Sequence, residues 1–130
     1  FEKKDMTENE ISYLVIEESI SIHKRLGAGL LERVYQEALF HALRKRGLYV
    51  TKEIMVPVVI DDIQIDCAYR IDILVENKVV IEIKSVDSLN DLHMAQTLTY
   101  LRLGGFRLGL LLNFNSVVLR SGIKRLVNNL

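Results

Sequence analysis

At 130 residues the chain is long enough for one domain with a real core and too short for two. Apolar residues make up 49% and charged residues 26%, which is ordinary globular usage, and no apolar run approaches the roughly 18 residues that a membrane-spanning helix needs. The 17 basic and 17 acidic residues balance, so any affinity for nucleic acid is expected to be local and modest, leaning on bound metal ions more than on a basic footprint.

No internal repeat or low-complexity stretch interrupts the chain, and its one proline is Pro57. Residues 7 to 26 read as a first helix. Ile11, Leu14, Val15, Ile22 and Leu26 share one face at helical spacing, and Gly27-Ala28-Gly29 supplies the stop. A second helix is expected from about Leu30 to Arg46, with Leu31, Val34, Tyr35, Ala38 and Ala42 as its stripe and Gly47 beyond it. The apolar period then drops from about 3.6 to 2. Lys52 to Ile60 reads as a strand and Asp61-Asp62 as a turn. From Ile63 to Val75 every odd position is apolar or aromatic (Ile63, Ile65, Cys67, Tyr69, Ile71, Ile73, Val75), and the even ones are mostly polar. That predicts one long strand with one face in a core. After Glu76-Asn77-Lys78 the alternation resumes, with Val79, Ile81 and Ile83 on one face and Val80, Glu82 and Lys84 on the other. Ser88 and Asp91 suggest a capping box for a helix from Leu89 to about Leu103, stopped by Gly104-Gly105. Arg107 to Phe114 is an apolar run of strand length, and Val117 to Leu119 offers a further short strand. The order ααβββαβ describes an α/β domain with a mixed sheet flanked by helices.

The single cysteine, Cys67, cannot form an internal disulfide and leaves no cysteine-rich zinc site. It favours a reducing compartment, and a cytoplasmic setting is expected. No secretory signal is visible, and a chain that opens on Phe1 leaves room for an upstream piece.

The chemistry concentrates on the two central strands. Their apolar faces must share one side of the sheet, which forces Asp72, Glu82 and Lys84 onto the other. A three-residue loop at Glu76-Asn77-Lys78 pairs Val75 with Val79 and sets Asp72 across from Glu82, with Cβ atoms about 4.5–5.5 Å apart. Carboxylates that close repel unless a cation sits between them. A magnesium-like ion takes one or two carboxylates and keeps waters, lowers the pKa of a bound water, and neutralises phosphate charge. A neighbouring lysine positions that water and stabilises the transition state. These are the parts that phosphodiester hydrolysis needs. E-x-K alone is weak, since Glu2-Lys3-Lys4 is a second copy with no apparent meaning. On geometry alone, a solvated surface pair and a metal site stay equally open.

The spacing D-x9-E-x-K on a hairpin after a helical start resembles the PD-(D/E)XK nuclease superfamily. Gly29 to Tyr35 (GLLERVY) matches G-x-x-E-x-x-Y, the signature of the GxxExxY proteins, and HKRLGAG, YRIDILV, VIEIK, HMAQTLTYL and LGLLLNF extend the similarity in order along nearly the whole chain. The resemblance implies a restriction-endonuclease-like core and a nuclease using Mg2+ or Mn2+ on nucleic acid, with DNA expected. It implies Asp72 and Glu82 as metal ligands, the Ile83 carbonyl as a further one, Lys84 as the catalytic lysine and Glu32 as a helical glutamate joining the metal site. Gln96 and Tyr100 resemble a Q-x3-Y helix that holds metal-bound water or substrate. Ile71 stands where a small residue is expected before the aspartate.

Several residues have ordinary structural explanations as well. Glu32 in a first helical turn is favourable for dipole reasons alone, although Leu39 and Leu43 follow it at helical spacing and angle it toward the packed side. Tyr35 fits core packing with a hydrogen-bonded hydroxyl. His23 fits a structural role, and His93 a hydrogen-bonding one. Arg70 shares the face of Asp72, where it contacts phosphate or pairs with Asp66. The rival to a nuclease is a catalytically idle module that keeps the fold and binds nucleic acid or a protein. An RNA substrate and a homodimer both stay open.

Overall fold

The computed structural model describes residues 5–130; the Glu2-Lys3-Lys4 copy of E-x-K lies outside them. Helix α1 (Glu8–Leu26) starts at a capping box in which the Thr7 hydroxyl accepts from the Glu10 N–H and the Glu10 carboxylate accepts from the Thr7 N–H. These bonds satisfy two of the free amides of a helix start. Gly27 closes the helix at φ 77°. Helix α2 (Glu32–Lys45) buries Tyr35, Gln36, Leu39 and Leu43. The buried stripe differs from the expected one: Tyr35 holds, but Leu31 and Val34 are exposed, because the helix packs through the Tyr35–Leu39–Leu43 line.

Strands β1 (Val50–Ile60), β2 (Ile63–Val75) and β3 (Val79–Lys84) follow. Helix α3 (Asp91–Gly104), β4 (Leu108–Asn113), a short 3-10 turn over Leu119–Gly122 and β5 (Ile123–Val127) complete the chain. The sheet order is β1-β2-β3-β4-β5, antiparallel except for the parallel β3–β4 pair. A parallel pair needs a crossover, and α3 provides it. Val117 to Leu119 is not a strand; Val117 and Val118 are exposed on the approach to the 3-10 turn, and the extra strand is β5. The cap of α3 also differs from the expected one. Asn90, not Ser88, accepts from the His93 N–H, and His93 Nδ1 accepts from the Asn90 N–H.

Two apolar layers sandwich the sheet. The first joins α1 and α2 to Ile73, Val75, Val79, Ile81, Ile83 and the even-numbered leucines of β4. The second joins Leu101 of α3 to Tyr69, Ile71, Leu74 and Val80. Gly109 permits the close approach of α3, since a Cβ there would lie 3.1 Å from Leu101 and 3.2 Å from Thr97.

β2 is not buried along its whole length, as its alternation led one to expect. Residues 63–68 are all exposed, and burial begins at Tyr69. These residues pair only with β1, in a two-stranded ribbon that runs past the sheet. The ribbon carries an irregularity: Val56 pairs with Tyr69 but Val58 with Ile65, so residues 66–68 face Pro57 alone. Proline has no N–H for the ladder, which suits it to such a site, and Cys67 there takes φ 57°. A second change comes at Glu53, whose φ is 54°. Above it Val50 packs with the α1–α2 layer, and below it Ile54, Val56 and Val58 pack with the α3 layer. On β2 the same exchange falls between Ile71 and Ile73. Ile71 is therefore buried on the side opposite Ile73, Ile81 and Ile83.

Candidate active site

The β2–β3 hairpin pairs Val75 with Val79, Leu74 with Val80 and Ile73 with Ile81. Its loop turns through Glu76 and Asn77, both at φ 53°. One step further the register sets Asp72 across from Glu82, and there the backbone ladder gives way to side-chain bonds. The Ile83 N–H donates to Asp72 Oδ2 at 2.9 Å, and the Asp72 N–H faces Glu82 Oε1 at 3.4 Å. Each carboxylate is thus anchored by backbone from the hairpin. Glu82 and Lys84 alternate in phase with Val80, so they belong to the side that α3 covers.

The pair is poorly hydrated: Glu82 is 6% exposed and the Asp72 side chain 14%. Burial first, then the negative charge of Asp72 and a hydrogen bond between the two side chains, push the Glu82 carboxyl up to about 9. The Asp72 N–H and the Lys84 charge pull the other way and do not offset this. Glu82 accordingly keeps its proton at neutral pH, which relieves the repulsion between the carboxylates. A hard divalent cation would relieve it as well, and two adjacent carboxylates are a donor set that suits magnesium or manganese. Among the described residues, no group of three or more His, Cys, Asp or Glu side chains stands close enough to hold a metal ion. Glu32 therefore does not join Asp72 and Glu82 in one cluster.

Around the pair stand a lysine, an arginine and a tyrosine. Lys84, half-buried, ends β3. Arg70 sends its guanidinium to 3.7 Å from Asp72 Oδ1 and, through its other nitrogen, to 3.7 Å from Glu53. Those are its ion pairs, rather than one with Asp66. Tyr100 stacks on Tyr69 with ring centroids 4.4 Å apart. Burial, then the charges of Glu82 and Asp72, raise its phenol, so its hydroxyl keeps its proton. Gln96 is exposed on α3, one turn before Tyr100.

Glu32 opens α2 and meets the site at its edge. Its Oε1 accepts from the N–H of Ser85, the residue after Lys84, at 3.3 Å, and the Ser85 hydroxyl donates to the Leu30 carbonyl at 2.7 Å. Tyr35, one turn on, donates its hydroxyl to the Gly27 carbonyl at 2.6 Å and accepts from the Leu30 N–H at 3.1 Å. Its ring stacks on Phe114 at 4.6 Å. The G-x-x-E-x-x-Y segment is thus a clamp that ties the α1–α2 loop to the end of β3. His23 is structural, its Nε2 bonded to the Ser116 carbonyl at 2.8 Å.

Two residues escaped the sequence reading. Asn113, buried at the end of β4, brackets Val86 with both its amide atoms, accepting from the N–H at 3.1 Å and donating to the carbonyl at 2.9 Å. It fixes the loop leaving Lys84, and its only signal was a polar residue inside an apolar run. Glu53 faces Asp72 because Lys52 pairs with Ile73 and Ile54 with Ile71. No local pattern pointed to it.

Compared with known proteins, the chain matches the sequence profile of the PD-(D/E)XK nuclease superfamily over residues 9–126. No curated protein sequence matches it as a relative. Among solved structures, the crystal structure of SSO0001 superposes with a TM-score of 0.51 at 20% identity, covering 91% of this chain and 60% of that one. That likeness speaks to the fold alone, and the chain spans only part of the other protein's length. The three helices and mixed five-stranded sheet are consistent with a restriction-endonuclease-like fold, and no helix among the described residues is long and apolar enough to cross a membrane. Nucleases of this kind generally use a divalent metal, typically Mg2+, and act on nucleic acid. With the profile running across nearly all of its elements, the chain belongs to the PD-(D/E)XK nuclease superfamily.

Proposed function

We infer that the chain is a GxxExxY-type nuclease that hydrolyses DNA phosphodiester bonds with Mg2+ or Mn2+. The observation that carries this reading is the Asp72–Glu82 pair: two carboxylates held against each other, largely out of water, with Lys84 two residues beyond Glu82 on its face. The metal is assigned to Asp72, Glu82 and the Ile83 carbonyl, while Glu32 holds the β3 exit through the Ser85 N–H. When bound it supplies a water of lowered pKa and neutralises charge on the phosphate. Lys84 holds the attacking water and stabilises the charge that grows on the phosphoryl oxygens. The water oxygen bonds to phosphorus as the ester P–O bond breaks, the water loses its proton, and the departing oxygen gains one. Arg70 is assigned to a phosphate oxygen, giving up Glu53 or Asp72 for it. The Tyr100 hydroxyl donates to substrate or to the water, with Gln96 beside it.

The test compares wild type with Lys84→Ala on single- and double-stranded DNA and RNA, with magnesium, manganese or EDTA. Removing one transition-state contact typically costs on the order of 10²–10³ in rate, with substrate affinity nearly unchanged. Equal cleavage by both proteins would expose a contaminant and sink the catalytic assignment. No cleavage by either, with DNA binding retained, would favour the idle module.

A further inference from the structure

The β1–β2 ribbon and the outer face of α1 and α2 are two surfaces that the nuclease reading does not use. The ribbon bears Ile60, Ile63 and Ile65 exposed, Ile63 by 64%. Ile60 pairs with Ile63 and Val58 with Ile65, so these four share one face. Isolated two-stranded ribbons are marginal in water, and contiguous exposed apolar residues mark contact surfaces. The ribbon's charges are all of one sign: between Ile54 and Tyr69 stand Asp61, Asp62 and Asp66 and no Lys, Arg or His. Nucleic acid is a poor occupant for such a tip, since phosphates would meet three carboxylates.

The second surface is the groove between α1 and α2, a cavity of about 1040 Å³. Arg25, Arg44, Lys45 and Arg46 line it against one acid, Glu18. Arg46 already bonds Glu17 and Glu18 at 2.7 and 2.9 Å, which leaves Arg25, Arg44 and Lys45 as the groove's excess positive charge. Its floor is apolar, through Ile22, Leu26 and Ala42. Charge and apolarity therefore match the ribbon tip in both respects. The tip cannot fill the groove of its own molecule: Val56 and Val58 hold the ribbon to the α3 layer, whereas α1 and α2 cover the opposite side of the sheet.

We propose that the groove of one molecule receives the acidic, isoleucine-bearing ribbon tip of a second copy of this chain. The net charge of zero fits this arrangement, because a molecule that carries both halves of a complementary pair is not repelled by its own copies. Two reciprocal contacts about a two-fold axis close a dimer, and an unreciprocated contact builds longer chains.

Sedimentation of the full chain across a range of concentrations and salt tests this. The wild type should self-associate, and more weakly as salt rises. Asp61→Lys with Asp62→Lys should raise the dissociation constant about tenfold or more, as should Arg44→Glu with Lys45→Glu. The four changes together should restore association, because the charges are then exchanged across the contact. Melting curves identify any variant that fails to fold, in which case Ile63→Ser on the ribbon and Ala42→Asp on the groove floor replace it. A wild type that stays monomeric at every concentration overturns the proposal. So does association that neither variant weakens, or failure of the folded fourfold variant to recover it.

Discussion

Glu82 is the residue on which the site's energetics turn, because it is buried against a second carboxylate, that of Asp72. An ordinary glutamate ionises near 4.5, and in the folded chain burial and Asp72 carry that carboxyl up to about 9. Between those values the unfolded chain releases a proton that the folded chain keeps. The folded state is therefore favoured most below the lower value and loses stability as pH rises toward the upper one, by at most about 1.4 kcal/mol per pH unit. Glu82→Gln cannot ionise in either state. In EDTA its urea midpoint should be above that of wild type at pH 8, and the difference should shrink toward pH 5. Parallel pH profiles for the two proteins would show that Glu82 is not buried as a neutral acid. At this scale the sequence was informative where alternation and one short loop sufficed: the pattern from Ile73 to Lys84 sets Asp72 across from Glu82, whereas the phase of Tyr69 and Ile71 is reversed and pointed the other way. Glu53 was out of reach. The two-residue turn at Asp61-Asp62, counted back without interruption, sets it against Arg70, and only the irregularity at Pro57 moves it two places to face Asp72.

Among the elements, the segment from Gly27 to Tyr35 does the most to place the others. Its helix-stop glycines and the Tyr35 hydroxyl were readable from residue type, but the partners were not, since the Gly27 carbonyl and the Ser85 amide are brought there by packing. Helix α2 shows the limit of periodicity. Its apolar residues populate two neighbouring lines, and which line is buried depends on where Phe114 and the sheet stand. The ribbon shows the opposite failure, a regular alternation with no layer to cover it. The clamp makes a prediction of its own. Tyr35→Phe keeps the stack on Phe114 and removes two hydrogen bonds, which together are worth about 1–2 kcal/mol. A melting temperature lower by roughly 3–8 °C is expected, with a smaller loss of cleavage than Lys84→Ala, because the hairpin that carries Asp72 and Glu82 is untouched. A variant that melts with wild type would mean that the loop is held by Ser85 and Glu32 alone.

For the molecule as a whole, balanced charge and a buried carboxylate pair have the same consequence: stability and substrate affinity should both depend on a divalent cation. A ligand that binds only the folded state stabilises it by RT ln(1 + [L]/Kd), or about 2.7 kcal/mol at a hundredfold excess over Kd. Magnesium or manganese at millimolar levels should therefore raise the wild-type melting temperature by several degrees. The proton on Glu82 sets how this changes with pH. The cation requires the ionised carboxylate, so it must displace that proton, and the displacement becomes easier as pH rises toward 9. The metal-induced shift should accordingly be larger at pH 8 than at pH 6.5. Asp72→Asn leaves one carboxylate where there were two, and it should respond little at either pH. Thermal scans of the two proteins with and without metal at both pH values decide the matter. Equal shifts in wild type and Asp72→Asn would put the ion elsewhere on the surface, and a shift independent of pH would mean that Glu82 takes no part in holding it.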